Sequence, residues 1–287
     1  MKRLFCCFLA ASMLLSLLSG CGSSSNSADS GDTLLLATTE PMYELTEQII
    51  AGATDITVQP LIQDQVSCLH DYTITTDQMK KIERADLVIL SGAGLEDFMA
   101  SSLSGKTNVI DSSEGVELLG DDPHIWLDPR RYVQQGENIT EALSERYPEQ
   151  AELFQKNMQS YADALMDRYQ NDWYPAAQSL SCKELITFHD GFSYFADAYG
   201  LTILAAIEEE EGAEPSAAEL KEIVELTETH KIPMIFTEKN GATNAAEIVA
   251  QETGVKTGVL DLGMSGGEVD YASVMDANLD ALKAGLK

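Results

Sequence analysis

Positive charge is scarce in this chain. Its 287 residues carry 18 lysines and arginines against 47 aspartates and glutamates, a formal charge of −29. So acidic a surface repels a phosphate backbone, which excludes nucleic acid as a partner; it gathers cations diffusely without defining a site for any. Cysteine is also sparse. Of five, Cys6, Cys7 and Cys21 fall in the first 21 residues, and Cys68 and Cys182 are too far apart in sequence for a compact zinc knuckle. The glycine turn SGAGLEDF around Gly92 lacks the wider dinucleotide fingerprint and reads as backbone accommodation near a strand end. What is present is 44% hydrophobic residues, enough for one large core or two smaller ones, which excludes a fibre or a disordered chain.

The chain opens as an export signal. Lys2 and Arg3 precede an uncharged apolar run that ends in the small residues Ser19 and Gly20 before Cys21, followed by the polar GSSSNSADSGD. The LSGC ending resembles the bacterial lipoprotein processing signal, which implies a signal peptide over 1–20, lipidation of Cys21 as the first mature residue, and a flexible tether over 21–32. Removing Lys2 and Arg3 leaves 16 basic residues against 47 acidic, formally −31. Outside the cytoplasm Cys68 and Cys182 are available to pair.

Beyond the tether, short apolar runs alternate with helical patterns. Strands are expected at 34–37, 56–58, 87–90 and 108–110, with a capping box of Thr75 and Gln78 opening a helix. A second series follows, with strands at 185–188, 201–207, 232–236 and 255–260, and a second capping box of Ser216 and Glu219. Between them, Leu153, Phe154, Met158, Tyr161, Leu165, Met166 and Tyr169 fall at helical spacing without an intervening glycine or proline. The expected architecture is therefore α/β, with two lobes of parallel four-stranded sheets (33–148 and 181–287) joined by a long rigid backbone helix and its connection (149–180). No convincing internal repeat relates the lobes.

His70, His124 and His189 each sit where a strand or loop gives way to the next element, and Asp261 follows the last strand. Ligands enter open α/β sheets beyond the carboxyl ends of strands, and three imidazoles with one carboxylate suit a divalent transition metal, zinc above all. A single histidine is more often a hydrogen-bonded core or surface residue, and sequence separation alone does not make these four converge. Asp190 and Glu238 are candidates to orient the imidazoles, with a surface carboxylate as the plainer alternative. Trp126 is either a shield for the ligand loop or core packing, and His230 reads as a helix-end cation.

HDY with TTDQMKKIERADLVI, SGAGLEDF, PHIWLDP, TFHDGFSYFADAYGL, EEEEGAEPSAAEL, IFTEKN and YASVMDANLDAL occur in an order that resembles the metal-binding lipoproteins of bacterial zinc and manganese ABC transporters, the ZnuA/TroA-like solute-binding class. The resemblance covers the mature chain from about Thr33. It implies His70 and His124 as first-lobe ligands and His189 and Asp261 as second-lobe ligands of one transported Zn(II), with Mn(II) as the alternative cargo. Histidine at the third position goes mostly with zinc, glutamate with manganese. It further implies an extracytoplasmic monomer anchored to the membrane by lipid and delivering metal to an ABC permease and its ATPase. Two departures stand out: QVSCLHDY replaces the usual glycine- and proline-rich approach to the first histidine, and the histidine-rich loop of some zinc members is absent. Through the family fold, the positions of Cys68 and Cys182 before His70 and His189 imply an interlobe disulfide. An extracytoplasmic zinc hydrolase and a surface adhesin are the competing functions; a catalytic zinc keeps a coordination position open, whereas four protein ligands close the shell.

Overall fold

Strands separated by helices have no local partner and pair in parallel across the intervening crossovers. The computed structural model describes residues 32–64, 66, 69, 72–208, 215–264 and 270–287. In it β1 (Thr33–Ala37), β2 (Ile56–Pro60), β3 (Leu87–Leu90) and β4 (Val109–Asp111) form a parallel sheet in the order β2-β1-β3-β4. They are linked by α1 (Glu40–Ile50), α2 (Thr76–Arg84) and the short α3 (Ala100–Leu103). After α4 (Pro129–Arg146) comes the expected spine. α5 (Ala151–Arg168) runs through a π turn (Tyr169–Trp173) into α6 (Tyr174–Gln178), roughly 40 Å at the helical rise. A second parallel sheet of β5 (Glu184–His189), β6 (Thr202–Glu208), β7 (Met234–Glu238) and β8 (Lys256–Leu260) repeats the same order as β6-β5-β7-β8. Its helices are α7 (Ser193–Tyr199), α8 (Ala217–His230), α9 (Asn244–Thr253) and α10 (Tyr271–Leu286).

Both capping boxes form. Thr75 Oγ1 accepts from the Gln78 N–H at 3.3 Å while Gln78 Oε1 accepts from the Thr75 N–H at 2.9 Å, and Ser216 and Glu219 make the same reciprocal pair at 3.3 and 2.6 Å. The spine touches both halves. Asn157 Nδ2 donates to the carbonyls of Ile49 and Ala51 at 3.0 and 2.8 Å, closing the C-terminus of α1, whereas Arg168 and Trp173 Nε1 hold Asp276 of α10 at 2.6 and 2.7 Å. One hydrophobic core includes Leu35 and Leu45 of the first half, Trp126, Phe154 of the spine, and Tyr199 and Leu282 of the second half. A smaller core of Ile186, Phe188, Ile207, Ile223, Ile235 and Val249 lies within the second half.

Among the described residues Cys182 is a free thiol whose Sγ lies 3.5 Å from the Glu184 carbonyl oxygen, and the disulfide expected with Cys68 falls on a residue outside them. Cys182 precedes the start of β5, and the strand separates it from His189 at the other end by roughly 20 Å. Cys68 itself, like His70, Cys21 and the leader, lies outside the described residues. His230 ends α8 as expected of a helix-end cation, with Nδ1 3.0 Å from Glu184 Oε2.

Candidate metal centre

Sheet topology decides which residues meet. In each sheet the order reverses direction between the first and third strands, so the loops leaving them diverge and open a crevice at the carboxyl ends. His189 is the last residue of β5, and Glu238 and Lys239 stand at the end of the neighbouring β7. The β7–β8 register places Glu238 opposite Leu260, which brings Lys239 beside Asp261.

His124 comes to this place from the other half. It precedes the tight turn Ile125–Leu127 that leads through the Asp128 cap into α4, and its side chain is fully buried. Asp122 fixes it: Oδ1 accepts from the His124 backbone N–H at 2.9 Å and lies 2.7 Å from Nδ1. With the Nδ1 proton directed to that carboxylate, Nε2 carries the lone pair a metal needs. Asp122 Oδ2 accepts from the Ser193 N–H of α7 at 3.1 Å, so the residue that orients His124 also binds the opposite half. Burial works to raise the Asp122 carboxyl, but the hydrogen bonds from His124 and the Ser193 N–H help hold the group below its ordinary range.

His189 is 4% exposed, and its ring centroid lies 5.5 Å from that of His124 at an interplanar angle of 85°. Two imidazoles bound to one tetrahedral zinc through bonds of about 2.0–2.1 Å have ring centroids about 5 Å apart, so the observed separation fits a shared ion. Gly191 makes the approach feasible. A Cβ there would lie 2.8 Å from His189 Cδ2 and 3.0 Å from His124 Cε1, so only glycine leaves both rings their place.

Asp261 is 8% exposed and rigidly mounted. Its backbone N–H donates to Asn278 Oδ1 at 2.7 Å while Asn278 Nδ2 returns a bond to its carbonyl at 2.8 Å. Oδ1 accepts from the Gly263 N–H and Oδ2 from Lys239 Nζ, both at 2.8 Å. The segment is joined to His124's turn by Trp126, whose Nε1 donates to the Leu262 carbonyl at 2.7 Å, while the Trp126 carbonyl accepts from Tyr271 OH at 2.7 Å. Trp126 is wholly buried and lies edge-on to His124 at 5.3 Å, which makes it core and wall at once.

Of the sequence-predicted donors, His124 and His189 are brought together, Asp261 is tied to the His124 turn two residues along, and His70 lies outside the described residues. Among the described residues, no three His, Cys, Asp or Glu side chains converge closely enough to enclose an ion. Glu238 is buried at the end of β7, but Asp190 is exposed; Asp122 does for His124 what sequence reading sought from Asp190. Asp122, Gly191, Asn278 and Lys239 were not singled out. A signal existed for one of them, since an Asp two residues before a His closes an Asx-type turn.

Comparison with known proteins bears on the whole chain. The family model described as zinc-uptake complex component A, periplasmic, matches residues 35–285. The high-affinity zinc uptake system protein ZnuA of Bacillus subtilis (strain 168) is 32% identical over 312 residues, covering 97% of this chain and 96% of that protein. The zinc-binding lipoprotein AdcA of Streptococcus pneumoniae is 31% identical over 96% of this chain, which spans only 60% of that longer protein. The Zn(II)-bound ZnuA-like domain of S. pneumoniae AdcA superposes with a TM-score of 0.75 at 30% identity, covering 89% of this chain and 99% of that domain. On the family match and the full-length relative together, the chain belongs to the zinc-uptake complex component A family of solute-binding proteins.

Proposed function

We propose that this protein captures one Zn(II) ion outside the cytoplasm and hands it to an ABC permease and its ATPase, without catalysing a reaction. We assign the ion to His70, His124, His189 and Asp261, with Asp122 and the buried Glu238 supporting the imidazoles. The observation that carries the reading is the pair of buried rings, His124 and His189, drawn from opposite halves to 5.5 Å with one of them oriented by Asp122. Imidazole donors favour zinc over manganese, and a carboxylate offsets part of the ionic charge. Four protein ligands leave no position for a reacting water, which favours binding over hydrolysis. The relatives' names support zinc as cargo, and the LSGC sequence at Cys21 supports a lipid anchor on the outer face of the membrane. Metal stoichiometry and chelator competition on the metal-stripped protein test the assignment. One Zn(II) per chain is expected, held more tightly than Mn(II), with binding lost in His189→Ala and Asp261→Ala. Native zinc affinity in either variant rejects the shared shell; Mn(II) outcompeting Zn(II) at matched activities rejects the cargo.

A further inference from the structure

Lys239 is the one cation in direct contact with a proposed ligand among the described residues: its Nζ lies 2.8 Å from Asp261 Oδ2. The contact follows from the sheet. Lys239 leaves β7 as Asp261 leaves β8, and the Lys239 N–H donates to the Leu260 carbonyl at 2.8 Å, so the backbone pins the lysine beside the aspartate. The two partners differ in freedom. The Lys239 side chain is 43% exposed and the Asp261 side chain 12%, so the ammonium can withdraw into water while the carboxylate, anchored through Gly263 and Asn278, stays. A zinc ion on Asp261 would sit about 2 Å from a carboxylate oxygen, bringing a double positive charge within about 5 Å of the ammonium as it now stands. At that range like charges repel, and both seek the same lone pairs.

We propose that Lys239 is an exchangeable counter-cation: it neutralises Asp261 in the metal-free protein, is displaced by the arriving ion, and returns as the ion leaves. This rests on the reading of Asp261 as a ligand. Lys239 thereby weakens zinc binding and speeds release, a useful property for a protein that must give up its cargo. A lysine is suited to the task because its ammonium is a compact point charge on a flexible stem, whereas a guanidinium would grip a carboxylate with two bonds.

The test compares wild type, Lys239→Met, Lys239→Arg and Asp261→Asn by zinc competition titration and by chelator-triggered release in stopped flow. Lys239→Met keeps the stem and removes the charge. It is expected to bind Zn(II) roughly two- to fivefold more tightly and to release it correspondingly more slowly, the range of a partly exposed ion pair. High salt should narrow the gap to wild type by screening the pair the variant lacks, and Lys239→Arg should bind no more tightly than wild type. Zinc affinity in Lys239→Met equal to or weaker than wild type overturns the exchange. With Asp261→Asn losing affinity in the same series, that result leaves the ligand reading intact. Undiminished zinc binding in Asp261→Asn removes the ligand assignment and the exchange with it.

Discussion

Replacing Gly191 by alanine tests the proximity of the two imidazoles with a single methyl. The new carbon would stand 2.8 Å from His189 Cδ2, 3.0 Å from His124 Cε1 and 3.1 Å from His124 Nδ1. Carbon atoms pack best at about 3.5–4.0 Å, so each ring must retreat by roughly 0.5–1 Å. Both are buried and His124 is held by Asp122 at 2.7 Å, which confines them to small tilts. Metal–nitrogen distances tolerate only about 0.2 Å, whereas the metal-free rings can tilt apart. The strain therefore falls mainly on the loaded state. Overpacking of this size costs about 1–3 kcal/mol, so zinc affinity should fall about ten- to hundredfold. Residue 191 does not occupy the left-handed backbone region, so the alanine backbone itself adds no strain. Chelator competition reads the affinity, and the melting temperature of the metal-free protein, expected to drop by no more than about 2–4 °C, reads the fold. A zinc affinity within twofold of wild type, at unchanged stability, would refute the claim that both rings bind one ion against this glycine.

Two further outcomes follow from the same contacts. Asp122→Asn places an amide where the Ser193 N–H and His124 both donate, so it should weaken zinc about ten- to hundredfold, as loss of an outer hydrogen bond to a metal histidine does; unchanged affinity in competition titrations would count against tautomer control by Asp122. Glu44 is pushed up to about 7, chiefly by burial and also by Asp270 and Glu40, against the opposing hydrogen bonds from the Tyr271 N–H and Tyr161 OH. Because its folded value lies above its unfolded one, the proton it holds contributes stability fully below about pH 4.5, and that contribution is lost as pH rises through about 7. Glu44→Gln should remove up to about 3 kcal/mol of this pH dependence in melts between pH 5 and 8; parallel pH profiles for the two proteins would exclude it.

The strands and the spine were legible because apolar residues alone define them. Helix α4 was not, and its buried face says why. Tyr132, Ile139 and Leu143 alternate there with Gln135, Gly136 and Thr140, so no apolar stripe marks it. The polar members are there for particular neighbours. Gln135 Nε2 donates to the Ser91 carbonyl and to Ser112 Oγ at 2.9 Å, and Gly136 admits the Met158 side chain, which an added Cβ would meet at 2.6 Å. The strand expected at 232–236 slides to Met234–Glu238 because Ile232 closes the end of α8, its N–H donating to the Thr227 carbonyl at 2.9 Å. That shift carries Lys239 to the strand end beside Asp261, where a strand ending at 236 would leave it in the following loop. The proposed donors were legible as residue types where a strand or loop gives way to the next element. Of their supports only the Asp122 turn onto His124 is local; its bond to Ser193 spans 71 residues, Asn278 reaches Asp261 across 17, and Gly191 acts by leaving space.

The contacts that assemble the centre also limit how it opens. Trp126 and Tyr271 lie in the core shared by both halves, and Tyr271 is stacked on Tyr132 at 4.1 Å and 14° while its N–H donates to Glu44 of α1 at 2.6 Å. Parting the halves as rigid bodies exposes both rings. At about 150–250 Å² each and about 25 cal/mol per Å², that step alone costs about 10 kcal/mol, comparable to the whole stability of a domain. The spine opposes it as well, being fixed to α1 through Asn157 and to α10 through Arg168 and Trp173. Exchanging one exposed lysine contact at Asp261 costs only about 1 kcal/mol. Asp122 ties His124 to both halves, so on the proposed ligand assignment an exchange at the exposed Lys239 costs far less than parting the halves.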